Sequence, residues 1–229
     1  MDLKLQNAEI EDSDNWYEIA DTYWQNQPST VDGMLGGFGK ISKTDLFASR
    51  RFLLDTISDY SKETQFKQAL DCGAGIGRIS KGLLLKWFEV VDLIDQNGEF
   101  LIEAKKSAVS TKDHRVGELF ACGLQDFTPE PAKYDVIWCQ WVLAYLTDDD
   151  LIAFLARCKK GLNSHGLIFI KENVTCGIVE EVDLQDSSVT RTELAMQNIF
   201  HKAGLTILRQ EFQKNFPKGL FPVKMYALM

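Results

Sequence analysis

"LDCGAGIGRISKGLL", residues 70–84, joins an apolar run to an amphipathic one through Gly73, Gly75 and Gly77. A strand that gives way to a helix across such a loop is where open α/β sheets hold nucleotides. Glycine lets the backbone turn tightly there and leaves no Cβ in the way of a ligand. The next apolar run, "VVDLID", ends in Asp95, 22 residues beyond Gly73. That is the separation expected of a carboxylate holding both ribose hydroxyls of an adenosine. The glycines alternate instead of following G-x-G-x-x-G, and Arg78 comes directly after them. A dinucleotide would set its pyrophosphate at a helix N-terminus. S-adenosylmethionine has no phosphate, but its carboxylate needs a cation, and Arg78 offers a fork of donors. "GLQDFTPE", 123–130, then falls where Leu124 and Gln125 can flank the adenine, although Gln125 can equally be an ordinary loop amide.

Working outward, strands and helices alternate from residue 68. "QALDCG", "VVDLID", "GELFACGL", "YDVIWCQ" and "GLIFIKEN" have strand character. "GRISKGLLLKWF", "NGEFLIEAKKSAV" and "DDDLIAFLARCKKGL" have helix character. Such alternation implies right-handed crossovers and a mainly parallel sheet covered on both faces. "RTELAMQNIFHKAGL" predicts a last helix, begun by a Thr190–Glu193 capping box. "TILRQEFQ" and "PVKMYALM" predict an antiparallel hairpin closing the sheet. Two helices precede the first strand: residues 14–26, with Asp14 as cap, and "KTDLFASRRFLLDTISDY", begun by Thr44 or Asp45. Between them "DGMLGGFG" places four glycines in eight positions.

The 229 residues are 45% hydrophobic and 25% charged, the profile of an ordinary soluble protein. Five cysteines without a C-x-x-C pair suggest neither a disulfide framework nor a zinc site, so no metal is expected. No apolar run approaches the length of a membrane span, and the first residues do not resemble a leader. A cytoplasmic or nuclear location is expected. The formal charge of −8 argues against phosphate-backbone binding and favours basic partners.

"YWQNQPSTVDGMLGGFG", "ALDCGAGIGRISK", "CGLQDFTPEP", "YDVIWCQWVLAYL", "IKEN" and "DSSVTR" together resemble the α-N-terminal protein methyltransferases. That family methylates the free amino terminus of proteins beginning Xaa-Pro-Lys once the initiator methionine is removed. The resemblance covers nearly the whole chain. It implies the class I methyltransferase fold, a Rossmann-like seven-stranded sheet with two extra N-terminal helices. One domain is expected over 1–229, with residues 1–60 as helical extension and substrate loop and 61–229 as core. It implies S-adenosyl-L-methionine as cofactor, S-adenosyl-L-homocysteine as product, and Gly73, Gly75, Arg78, Asp95, Leu124, Gln125 and Gln140 as cofactor contacts. Leu35, Gly36 and Gly37 are expected against the incoming peptide, where a loop of glycines can open and close. Tyr23, Trp24, Trp141, Asp183 and Ser188 match the family's substrate site, as do Asn173 and Asp186. Two departures matter. Tyr145 stands where some members carry histidine, and "CGIVEEVDLQDSSV" has one extra residue, which unsettles the match of Asp183 more than that of Asp186.

The expected partners are the amino-terminal tails of proteins beginning Xaa-Pro-Lys or Xaa-Pro-Arg, ribosomal or nuclear proteins among them, acted on by a monomer. An α-amino group titrates near 7.7–8.0, so little base assistance is required. Asp186 is the candidate proton acceptor, with Asn173 orienting the amine and Tyr145 as helper. Trp24 and Trp141 border loops and suit a cation–π contact with a methylated ammonium, whereas Trp138, inside a strand, belongs to the core. Glu180, Glu181, Asp183 and Asp186 form an acidic cluster suited to a basic third residue. Ser188 or Asp186 as mere helix caps, and the acidic cluster as a solvated face, are the plainer alternatives. A methyltransferase acting on a small molecule or an internal lysine, and a non-catalytic adenosine-binding module, are the competing functions.

Overall fold

The computed structural model describes residues 15–110 and 115–229. The proposed cap Asp14 lies outside the described residues. Helix α1, Trp16–Gln25, turns Trp16 and Ala20 inward. Helix α2, Val31–Met34, is a single turn capped by the Thr30 hydroxyl, which accepts the Gly33 N–H. The chain then passes through Gly36 and Gly37 at φ +54° and +85°. A 3-10 turn, Gly39–Ile41, runs directly into α3, Ser42–Tyr60. That continuity corrects the expected start at Thr44 or Asp45. Asp45 caps nothing; it is fully buried.

Strands β1 (Gln68–Cys72), β2 (Val90–Asp95), β3 (Val116–Ala121), β4 (Tyr134–Gln140) and β5 (Leu162–Asn173) are mutually parallel. Helices α4 (Arg78–Gly82), α5 (Gly98–Ser110) and α6 (Asp148–Gly161) cross between them. Helix α4 is shorter than "GRISKGLLLKWF" suggests. Gly82, a poor helix former, ends it, and a 3-10 turn at Leu84–Lys86 follows. Strands β6 (Glu181–Asp183) and β7 (Ser188–Thr190) form a small antiparallel hairpin that the sequence pattern did not announce. Helix α7, Glu193–Lys202, is capped by Thr192, whose hydroxyl accepts the Ala195 N–H. Thr190 instead ends β7, and with Ala195 three residues after Thr192 the helix has a simple cap and not the expected capping box. Ser188 is likewise a strand residue and not a cap.

Strands β8 (Ile207–Phe212) and β9 (Val223–Leu228) close the sheet antiparallel, as expected, with β9 lying between β5 and β8. The order is β3-β2-β1-β4-β5-β9-β8. It reverses direction between β1 and β4, and in open α/β sheets ligands bind outside the carboxyl ends of the strands at such a point. Every residue of β4 is buried, as a central parallel strand covered on both faces must be. On one face Phe154, Leu155 and Phe200 pack on the sheet; on the other are Phe52, Leu53 and Phe88. Trp138 stacks on Phe169 at 5.4 Å between ring centroids and belongs to the core, as expected.

Candidate active site

Beyond the carboxyl ends of β1, β2 and β4 lies a cavity lined by residues of the loops that leave these strands. Gly73, Gly75, Arg78, Asp95, Leu124, Gln125 and Gln140, the seven expected cofactor contacts, all line it. Gly75 holds φ +53°, and a Cβ there would stand 2.8 Å from Met34 Sδ. Its N–H donates to Asp95 Oδ2 at 2.8 Å, while Asn97 N–H donates to Oδ1 at 2.9 Å. These two bonds fix the Asp95 carboxylate and still leave it lone pairs for a diol. Burial raises the pKa of Asp95. Behind the loop after β3, Arg157 donates to the carbonyls of Leu124, Gln125 and Phe127 at 3.0, 2.8 and 2.7 Å. Nothing in the local sequence pattern announces that brace, since Arg157 lies about 30 residues beyond the loop. The Arg78 cation, the Asp95 carboxylate and the apolar lining from Phe100, Leu124 and Leu146 fit the carboxylate, diol and adenine of S-adenosylmethionine.

A second, wider cavity adjoins the first. Trp24, Met34, Trp141 and Tyr145 line both, so they form the shared wall. The second cavity brings together Tyr23, Leu35, Gly36, Asn173, Asp183, Asp186 and Ser188. Gly37 does not line it. Gly36 and Gly37 owe their identity to positive φ in a fixed turn, where the Gly37 N–H donates to Asp32 O at 2.9 Å. Of the acidic cluster, Glu181, Asp183 and Asp186 face the cavity and Glu180 does not.

Around the shared wall the side chains are held in place. Trp16 Nε1–H donates to Tyr145 O at 2.8 Å, and Trp24 meets the Tyr145 ring edge-on at 5.8 Å. Trp141 Nε1–H donates to Asn173 Oδ1 at 3.2 Å. Trp141 has φ +54° and Ser187, next to Asp186, +53°. Strained backbone of this kind collects where a site must aim a side chain. Tyr145 OH donates to Asp186 Oδ2 at 3.3 Å, while Asp186 Oδ1 is buried without a hydrogen-bond partner. Burial, with Asp183 adding to it, raises the pKa of Asp186. Burial together with Asp186 and Glu172 lifts Tyr145 well above its ordinary value, so the phenol is a donor and not a base at neutral pH.

Glu172, unassigned from sequence, underlies this wall. Its carboxylate accepts the Leu143 and Asn173 N–H groups at 3.1 Å each, and burial pushes its pKa up to about 7. Arg191 grips the same turn from the other side, donating to the carbonyls of Leu143 and Leu146 at 3.1 and 2.6 Å.

A seven-stranded sheet of this order, with these groups at its switch point, defines a class I S-adenosylmethionine-dependent methyltransferase. Residues 12–229 match the family described as AdoMet-dependent proline di-methyltransferase, and the chain belongs to it. It is 49% identical over 220 residues to the N-terminal Xaa-Pro-Lys N-methyltransferase 1-B of Xenopus laevis, covering 96% of this chain and 97% of that one. The corresponding Bos taurus protein, N-terminal Xaa-Pro-Lys N-methyltransferase 1, is 48% identical with the same coverage. Among solved structures, a SAM-dependent methyltransferase of Leishmania major superposes with a TM-score of 0.86 at 38% identity, covering 93% of this chain and 83% of that one.

Proposed function

We propose that this methyltransferase acts on the free α-amino group of protein chains beginning Xaa-Pro-Lys. The observation that carries the proposal is the shared wall: Trp24, Met34, Trp141 and Tyr145 line both the cavity that holds Arg78 and Asp95 and the acidic one that holds the unpaired Asp186 Oδ1. The names of the curated relatives support the same substrate class.

When bound, S-adenosylmethionine supplies a methyl group on a sulfonium. Asp95 holds the ribose, Arg78 the carboxylate, and Gly73, Gly75, Leu124, Gln125 and Gln140 shape the remaining walls. On the other side the chain must present an amine with a free lone pair, and positioning does most of that work. Asn173 Oδ1, already accepting from Trp141, has a second lone pair for an amine N–H. Asp186 Oδ1 takes the proton, while Tyr145 keeps the carboxylate aimed through Oδ2. Trp24 and Trp141 hold the growing methylammonium by cation–π attraction. A proline at position two donates no backbone hydrogen bond and has a fixed φ, so its shape can be tested between Leu35, Gly36 and Trp141. Asp183 and Glu181 receive the lysine at position three, and Tyr23 and Ser188 complete that cavity.

Both cavities are complete within one chain, which supports action as a monomer. The cysteines among the described residues are unpaired, which supports the cytoplasm or nucleus as the compartment.

Labelled S-adenosylmethionine incubated with an Xaa-Pro-Lys peptide should place methyl groups on the terminal nitrogen. An acetylated terminus should abolish the reaction. Equal labelling of the acetylated peptide, with methyl on the lysine side chain, would show an internal lysine methyltransferase instead.

A further inference from the structure

Beneath Arg78 lies a charged cluster that the mechanism above leaves unused. Asp45 of α3 and Lys171 of β5 are both fully buried. Lys171 Nζ lies 2.5 Å from Asp45 Oδ1, and Arg78 Nη1 lies 2.6 Å from Asp45 Oδ2. Gln140 Nε2 donates to the same carboxylate at 2.8 Å, while its carbonyl accepts the Trp138 indole N–H at 3.1 Å, which fixes the amide.

The lysine carries a proton by count of partners. Besides Asp45 Oδ1, Nζ reaches Gln213 Oε1 at 2.6 Å, the Asp45 carbonyl at 3.2 Å and Ser49 Oγ at 3.0 Å. Gln213 is oriented by its own donation to Lys214 O at 2.7 Å. Three of these four acceptors have no proton to give, and a neutral amine could satisfy only two. Burial lowers the pKa of Lys171, and Asp45 works against that.

Two cations therefore share one carboxylate, leaving one positive charge in excess. Glu211 acts on Lys171 from outside but is engaged by Arg51 and Arg209. A buried excess charge is costly unless something compensates it. The open side of the cluster is the cavity wall formed by Arg78 and Gln140. Were Lys171 neutral or absent, Asp45 would cancel Arg78 and leave little attraction for an anion.

We propose that Asp45 and Lys171 are positioning residues of the cofactor site, forming with Arg78 a cluster of net charge plus one that the α-carboxylate of the cofactor completes. Asp45 holds the guanidinium in the wall, and Lys171 offsets Asp45 so that the charge of Arg78 stays available. This rests on the reading that Arg78 faces the carboxylate end of S-adenosylmethionine.

The test is calorimetric binding of S-adenosylhomocysteine and of its decarboxylated analogue, which lacks only the carboxylate. Lys171→Met should cost about tenfold in affinity for the first and leave the second within about twofold. The pair Lys171→Met with Asp45→Asn restores a net charge of plus one, and the preference for the carboxylate should return. Equal loss of both ligands in Lys171→Met, or a double variant without the preference, would assign the cluster to packing and overturn the proposal. The double variant leaves no buried aspartate short of a partner, so it carries the test alone where the single variant fails to fold. If Arg78→Gln keeps the full preference, the placement of Arg78 itself is wrong, an outcome distinct from failure of the lysine's role.

Discussion

At the scale of single residues, the proposed function divides one task between Asp186 and Tyr145. Asp186 has one oxygen bound to Tyr145 and one buried without a partner, and burial makes its carboxylate more basic than usual. Asp186→Asn keeps the shape and loses the proposed proton acceptor. Turnover should fall about 10²–10⁴-fold at pH 7, with peptide affinity little changed. At pH 9 the α-amino group is already neutral, so much of the loss should be recovered. A deficit unchanged between pH 7 and 9 would make Asp186 a positioning group instead. Tyr145→Phe removes a single hydrogen bond and keeps the ring against Trp24. Its cost should be only about 3–10-fold in kcat. A loss as large as that of Asp186→Asn would give the phenol a direct part in proton transfer.

At the scale of elements, the loop between β1 and α4 is a packed device whose cost shows in its pH dependence. Asp71, on β1, is buried and accepts the Ser80 hydroxyl of α4 at 2.5 Å, and burial pushes its pKa up to about 7. A carboxyl raised in the folded state binds its proton more tightly there than in the unfolded chain. Its contribution to stability is therefore full below the unfolded value near 4 and lost as pH rises through 7. Melting of the wild type and Asp71→Asn should diverge accordingly, the wild type losing roughly 2 kcal/mol relative to the variant between pH 5 and 8. Parallel pH curves for the two would show that Asp71 is not the titrating group. This loop was legible beforehand because glycine spacing, the arginine after it and the acid on the next strand are local signals. The β6–β7 hairpin was not, since three-residue strands are too short to show alternation and an acidic stretch reads as solvated loop. Asp45 resembled an ordinary helix-start acid, and its partner Lys171 is 126 residues away in sequence. The one available hint was "LIFIKEN", where Lys171 and Glu172 interrupt an apolar strand. Charges in a buried strand must be paired, but the sequence does not say with what.

At the scale of the whole molecule, the chain carries a net charge of −8, and three of its acids, Glu181, Asp183 and Asp186, face the second cavity together. The field of that cluster is strong enough to help raise the pKa of the neighbouring Tyr23 through Asp186 and Asp183, after burial. A basic peptide end approaching the cavity meets attraction before contact, whereas a neutral third residue gains nothing from it. Exposed charges are screened within about 30 Å at 0.01 M salt and about 3 Å at 1 M. Glu181 and Asp183 are both exposed, so their pull on a lysine should be sensitive to salt. Raising salt across that range should lower kcat/KM for an Xaa-Pro-Lys peptide several-fold more than for its Xaa-Pro-Gln analogue. The comparison cancels the terminal charge, which both peptides carry. Neutralising the pair through Glu181→Gln and Asp183→Asn should bring the two salt curves together, with the larger loss falling on the lysine peptide. If the curves already coincide in the wild type, the third residue is selected by shape, and the acidic rim has no part in choosing it.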